Sequence, residues 1–393
     1  MRPHPRSIIL AAALIVPAAA FTAACGHSGN TAATAAAPAG AISANATTAT
    51  RPTLATELGK VVAAGSPGAI ALVNDGRKVR VSAAGVADTS GRRALRPADR
   101  FRAGSITKSF VATVALQLVG ERKLSLSDSV ERWLPGILPY GDDVTVRQLL
   151  NLTSGVPDNQ GPVEAEFLKG NMTRSWSPRE LVALIADKKP DFAPGTSWAY
   201  SNTNYMLAGL IIERVTGNQL GQELKQRIFK PLHLRGTSFP QNTSTIAGSH
   251  SDGHAFVDGK LVDVTVLNPS GTWAAGNLVS TATDVAHFWR ALLGGELLAP
   301  RQLAAMKRTV PIHKGVDLGY GLGIFEWPTA CGPVWGNGGD IAGYNNRFQN
   351  SEDGTRQAAV IVPMNPMPKA LGEPVGALKQ AAISDALGSR SAC

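Results

Sequence analysis

Ser105-Ile106-Thr107-Lys108 places a hydroxyl and an amine three residues apart at the start of a long apolar run. On a helix that spacing puts both side chains on one face. A desolvated Lys amine can take the proton of a Ser hydroxyl, and the freed oxygen can attack a carbonyl carbon. The first helical turn adds orphan N–H groups and the positive end of the dipole, both favourable to developing negative charge. Four residues of this kind also arise by accident. The reading therefore depends on what else the chain supplies.

Two further stretches carry matching chemistry. Pro194-Gly195-Thr196-Ser197-Trp198-Ala199-Tyr200-Ser201-Asn202 sets Tyr200 and Asn202 on a loop just ahead of a helix. The phenol is able to relay protons, and the amide is able to orient a substrate or the Lys. Asn202 as a helix cap is compatible with that role. Trp335-Gly336-Asn337-Gly338-Gly339-Asp340 puts small residues on a strand edge, where another backbone, such as a peptide substrate, can approach closely.

The elements that must position these groups follow from periodicity. A helix is expected over 54–64, then a hairpin over 68–74 and 79–86 around Asp75-Gly76. After Ser105, Phe110, Val111, Val114, Leu116, Leu118 and Val119 leave hardly any polar face, so that helix is buried on nearly all sides. More helices are expected at 145–150, 178–186, 204–215 and 283–293, separated by Pro- and Gly-rich connections. Strand character returns at 319–325, 333–336, 344–349 and 357–364, and a final helix at 373–387. Strands at both ends with helices between predict an α/β fold of α+β type. One antiparallel sheet is assembled from the two termini, an all-helical lobe is inserted, and the site lies in the cleft between them.

The three motifs in this order resemble the penicillin-recognising serine hydrolases, which include class C β-lactamases, D-Ala-D-Ala carboxypeptidases and related esterases. The resemblance covers nearly all of 52–393. It is closest to secreted actinobacterial D-Ala-D-Ala carboxypeptidases in Arg102-Ala-Gly-Ser-Ile-Thr-Lys-Ser-Phe110, Leu124-Ser-Leu-Ser-Asp128, Tyr200-Ser-Asn-Thr-Asn-Tyr-Met-Leu-Ala-Gly209 and Tyr320-Gly-Leu-Gly323. It implies a β-lactamase/transpeptidase-like fold and an acyl-enzyme on Ser105. Lys108 is the proton acceptor, alone or through Tyr200, and Tyr200 passes the proton to the leaving group. Asn202 holds Lys108 and a substrate carbonyl. Asn337, Gly338, Gly339 and Asp340 line the substrate, and the N–H groups of Ser105 and Asp340 form the oxyanion hole.

The chain departs from that family in the third motif. Asn337 stands where Lys or His is usual and never carries a positive charge. Gly339 stands where a hydroxyl often helps bind a carboxylate. Ile324-Phe325-Glu326-Trp327 follows Tyr-Gly-Leu-Gly where close carboxypeptidases have an Arg. Leu152 occupies a place where the family often has His, in a structural role. Three functions fit: a serine hydrolase cleaving an amide, peptide or ester bond not read through a carboxylate; a D-alanyl-D-alanine carboxypeptidase with a substitute cation; and a catalytically weak penicillin-binding-like surface protein. Intact Ser105, Lys108, Tyr200 and Asn202 speak against the third.

The 393 residues are 44% hydrophobic and 17% charged, which suits one large globular unit. The formal charge of +9 is dispersed and reads first as a solvated basic surface, with a generic attraction to anionic cell-wall polymers or lipid headgroups, and an association with peptidoglycan, as the second reading. No nucleic-acid motif accompanies it. Arg2, Arg6 and an apolar run over 8–21 read as an export signal over 1–24, making the protein bacterial and extracytoplasmic. Thr22-Ala23-Ala24-Cys25 resembles a lipoprotein processing site with lipid on Cys25, and secretion after an A-x-A-like cut is the alternative. Residues 25–51, rich in Ala, Thr and Ser, read as a disordered tether to a hydrolase domain over 52–393. Cys331 and Cys393 remain as an even pair in an exported chain, so a disulfide is expected, and the related carboxypeptidases carry one at a similar place. Trp273 reads as a core aromatic. His233, His254, His287 and His313 lack ligand spacing, and no metal, nucleotide or organic cofactor is expected. The expected partner is a small peptide, ester or β-lactam substrate, and the expected state is a monomer.

Overall fold

The structure is a computed structural model that describes residues 53–313, 317–329 and 332–388. The export signal, the tether, Cys25, Cys331 and Cys393 lie outside those residues. In chain order the elements that build the site are α1 (Leu54–Ala63), β1 (Gly68–Asp75), β2 (Val79–Gly85), α2 (Thr107–Gly120), α3 (Thr203–Thr216) and α4 (Ala282–Leu293). There follow β3 (Val310–Pro311), β4 (Gly319–Tyr320), β5 (Phe325–Trp327), β6 (Val334–Ile341), β7 (Tyr344–Asn350), β8 (Arg356–Val362) and α5 (Lys369–Leu387).

Both termini contribute to one eight-stranded antiparallel sheet, ordered β2-β1-β8-β7-β6-β5-β4-β3. β1 lies against β8 with Ile70 opposite Ile361. The period of two sorts their side chains into two cores. Ala69, Ala71, Val73, Ala358, Val360 and Val362 face Leu58 and Val61 of α1 and Leu371, Val375 and Leu378 of α5. Ile70, Leu72, Ala359 and Ile361 face the helical lobe with Phe110 and Phe288. A slip of one residue would exchange the two sets, so burial on both faces holds the register.

Helix α2 runs through the lobe core as its composition predicts, with residues 107–116 all buried. Phe110 stacks on Phe288 of α4 with ring centroids 3.6 Å apart. Trp273 is 5% exposed and packs against Gly209 of α3, where an added Cβ would lie 2.8 Å from the indole. It is a core aromatic.

The final helix begins at Lys369 rather than 373, the helix expected over 178–186 ends at Ala183, and two strand boundaries near the site also differ from the sequence reading. The single strand expected over 319–325 is two strands, β4 and β5, joined by a tight turn. Gly323 at its end has φ +80°, and an added Cβ would lie 2.6 Å from the Ala112 methyl of α2. The strand expected over 333–336 continues to Ile341, so Asn337 to Asp340 lie inside β6. β-propensity ends at Gly336, but pairing with β7 supplies the ladder that the glycines do not favour by themselves.

Candidate active site

Ser105 is presented by a three-residue 3₁₀ turn, Gly104–Ile106, immediately before α2. The strand Phe101–Arg102 pairs with Val279–Ser280, and the Ala103 N–H donates to the Leu278 carbonyl at 2.7 Å. Thr107 Oγ1 accepts from the Leu278 N–H at 3.1 Å and donates to the Gly104 carbonyl at 2.7 Å. Gly104, Ile106 and Lys108 are buried while Ser105 is partly exposed, so the hydroxyl is the part of the turn that meets the cleft.

Strand β6 abuts this turn with almost no clearance. Gly104 has φ +54°, and a Cβ there would sit 3.2 Å from the Asp340 nitrogen. A Cβ on Gly339 would sit 1.8 Å from the Ala103 carbonyl oxygen. Small residues were expected here to admit another backbone. At Gly339 that backbone is the chain's own, at the turn that carries Ser105.

Lys108 is fully buried. Its Nζ lies 3.0 Å from Ser105 Oγ, 2.8 Å from Asn202 Oδ1 and 3.0 Å from the Ala275 carbonyl. Burial pushes its pKa down to about 7, against the opposing pull of Asp158. A neutral amine has two N–H bonds and one lone pair. The amide and carbonyl oxygens only accept, so they take both hydrogens and leave the lone pair for the Ser105 proton. The Tyr200 hydroxyl lies 2.6 Å from Ser105 Oγ. Burial holds that phenol well above its usual range, so it remains a donor near neutrality. Lys108 Nζ also stands 4.8 Å from the centre of the Tyr200 ring.

Asn202 precedes α3, but its side chain makes no capping bond there. It turns instead toward Lys108. Its backbone N–H donates to Asp158 Oδ1 at 2.9 Å, and its Nδ2 donates to Gln160 Oε1 at 3.0 Å and Asp158 Oδ2 at 3.4 Å. Sequence reasoning passed over Asp158 and Gln160. The polar run Asp158-Asn159-Gln160 after Gly155-Val156-Pro157 was the only signal, and it reads as an ordinary loop. Leu152, with φ +63°, is buried and accepts the Ala199 N–H at 3.2 Å, docking the loop that carries Tyr200. Trp198 lies 6.5 Å from the Tyr200 ring and 5.9 Å from that of Tyr320, forming an aromatic wall beside the phenol.

The other residues of the third motif are not brought to Ser105 by their side chains. Asn337 is 2% exposed, and its Nδ2 donates to Ser109 Oγ at 3.1 Å and to the Gly323 carbonyl at 3.3 Å. Its Oδ1 accepts the Gly338 N–H at 2.9 Å. Its polar groups thus join β6 to α2 and to the β4–β5 turn. A Cβ on Gly338 would meet the Arg347 guanidinium at 2.8 Å. The Asp340 carboxyl accepts from Asn345 Nδ2 at 2.5 Å, and burial raises its pKa against the pull of Arg347 and Lys379. Of Asp340 it is the backbone nitrogen, beside the Gly339 backbone, that lies against the nucleophile turn.

The Beta-lactamase family matches residues 34–369. Penicillin-binding protein 4* of Bacillus subtilis (strain 168) is 27% identical over 275 residues, which cover 66% of this chain and 60% of that protein; the chain spans less than two thirds of that relative. Among solved structures, a D-stereospecific amidohydrolase from Streptomyces sp. is 38% identical with a TM-score of 0.76, over 85% of this chain and 97% of that one. The D-amino acid amidase of Ochrobactrum anthropi SV3 is 28% identical with a TM-score of 0.72, over 84% and 97%. An octameric penicillin-binding protein homologue from Pyrococcus abyssi is 26% identical with a TM-score of 0.73, over 84% and 76%. That assembly leaves the expectation of a monomer without support from the family. With its fold and its match along most of the chain, this protein belongs to the beta-lactamase family of penicillin-recognising serine hydrolases.

Proposed function

We propose that this protein hydrolyses an amide, peptide or ester bond through an acyl-enzyme on Ser105, with amino acid amides and short peptides as its substrate class. The observation that carries this is the position of the Lys108 amine, held by two obligate acceptors with its lone pair left for Ser105. Lys108 is the base, and Tyr200 is the phenol that returns the proton to the leaving group and then helps activate water. The N–H groups of Ser105 and Asp340 receive the oxyanion. Asn337 is neutral and engaged within the protein, so it offers no cation to a substrate carboxylate. The amidohydrolase and amidase neighbours agree with an amide as the scissile bond. The apolar segment near the N-terminus supports an extracytoplasmic location, and no helix among the described residues is long and apolar enough to cross a membrane.

A D-alanyl-D-alanine carboxypeptidase is the second reading, favoured by the Arg347 guanidinium beside Gly338. Labelling with a fluorophosphonate and a fluorescent penicillin, with Ser105→Ala as control, separates the readings. Fluorophosphonate labelling with turnover of D-phenylalanine amide but no release of D-Ala from a D-Ala-D-Ala peptide supports the first. Penicillin acylation with D-Ala release supports the second. No Ser105-dependent label from either probe rejects both and leaves a catalytically silent surface protein.

A further inference from the structure

We propose that Asp158 is a positioning residue that holds Asn202, and through it Lys108, in the one arrangement that leaves a base facing Ser105. The inference rests on the acyl-enzyme reading above.

An Asn side chain fits the same space with its amide either way round, and only its partners decide between the two orientations. Here Lys108 Nζ faces Oδ1 at 2.8 Å, while Gln160 Oε1 and Asp158 Oδ2 face Nδ2. Turned over, the amide would present its NH₂ to Lys108. A neutral Lys108 would then direct its lone pair at that NH₂ and an N–H at Ser105, and the hydroxyl would have no proton acceptor. An ionised carboxylate accepts hydrogen bonds and never donates, so Asp158 disfavours the turned amide in a way that Asn or Gln does not. Its Oδ1 also accepts the backbone N–H groups of Asn202 at 2.9 Å and Gln160 at 3.3 Å, tying both segments to one group. Gln160 is itself held, its Nε2 donating to Glu164 Oε1 at 2.7 Å. The contacts run from Glu164 through Gln160, Asn202 and Lys108 to Ser105.

The charge of Asp158 acts on the same amine. Asp158 is the carboxylate whose field reaches Lys108, the facing phenols of Tyr200 and Tyr205 being neutral, and Asp158 itself faces Lys108 and Glu164. Removing that charge favours the neutral amine, so the acid limb of Ser105 reactivity moves to lower pH. Loss of structure alone would reduce the active fraction and leave the limb where it was.

The test follows the second-order rate of fluorophosphonate labelling against pH in wild type, Asp158→Asn and Gln160→Met. The expected result for Asp158→Asn is a plateau at least tenfold lower, with the acid limb displaced to lower pH by half a unit or more. Gln160→Met removes the nearer Nδ2 acceptor and keeps the charge, so its plateau falls while its limb stays. It carries the test of orientation should Asp158→Asn not fold. A plateau within twofold of wild type in either folded variant, or a lowered plateau with an unmoved limb in Asp158→Asn, overturns the inference. No Ser105-dependent labelling of the wild type overturns the acyl-enzyme reading and this inference with it.

Discussion

At the scale of the residue, the site turns on one amine kept out of water. The Lys108 pKa of about 7 places its loss of a proton within the working range of an enzyme, whereas an exposed Lys titrates near 10.4. Labelling of Ser105 should rise with pH through a limb near 7 and disappear in Lys108→Met. The same depression has a consequence for stability. Between about 7 and the unfolded value of 10.5, the unfolded chain binds a proton that the native chain does not, so stability from this group increases with pH across that window. It is fully present above 10.5 and lost as pH falls through 7. Lys108→Met is of similar volume and carries no charge to desolvate. It should therefore melt above wild type at pH 6, with the gain shrinking toward pH 10; thermal melts at both pH values measure it. Equal melting temperatures at pH 6 would contradict burial of an ionisable amine.

At the scale of the element, catalysis requires β6 and the nucleophile turn to touch backbone to backbone. Gly339→Ala would put a methyl group on the Ala103 carbonyl, and backbone atoms on both sides leave no side chain to give way. The cost expected is about 1–3 kcal/mol, with Ser105 labelling lowered more than stability because the Asp340 nitrogen moves with the strand. Melting temperature and labelling rate on one preparation check this, and wild-type values for both would show that β6 does not pack as described. Sequence reasoning found this strand by its residues and missed what its glycines meet. Gly339 read as room for a substrate, and its immediate neighbour is Ala103. Asn337 read as a group facing the substrate, but its amide faces Ser109 and Gly323. Strand polarity and partner identity decide which way a side chain points, and neither is written in a six-residue window.

At the scale of the whole molecule, the sheet closes the chain upon itself. β1 sits between β2 and β8, apolar on both faces, so the N-terminal hairpin completes the layer that α5 and the lobe pack against. A chain lacking 53–86 leaves β8 with an open edge and uncovers the apolar surfaces of α5 and the lobe that β1 packs against. It should show no cooperative urea transition by circular dichroism. A cooperative transition with retained Ser105 labelling would mean the lobe and the remaining strands fold without that hairpin. The predicted layout held because its evidence was periodic and repeated, two cores sorted by alternation along β1 and β8. Strand boundaries failed where glycine interrupts the pattern, at the β4–β5 turn and along β6, because there pairing with neighbours overrides local preference.

From the order of residues alone came the family resemblance, the sheet built from both termini, and four groups of the site. Ser105 and Lys108 share a helical face by spacing, and Tyr200 and Asn202 share a loop by position. These are local matters, set by the 3.6-residue period and by what each side chain can donate or accept. The tertiary structure decided the protonation state and the orientation. Desolvation of Lys108 needs the whole lobe around it, and the direction of the Asn202 amide needs Asp158 and Gln160 from a segment more than forty residues away. Charge and hydrogen bonding depend on distance in space, which the sequence does not contain until the chain has folded.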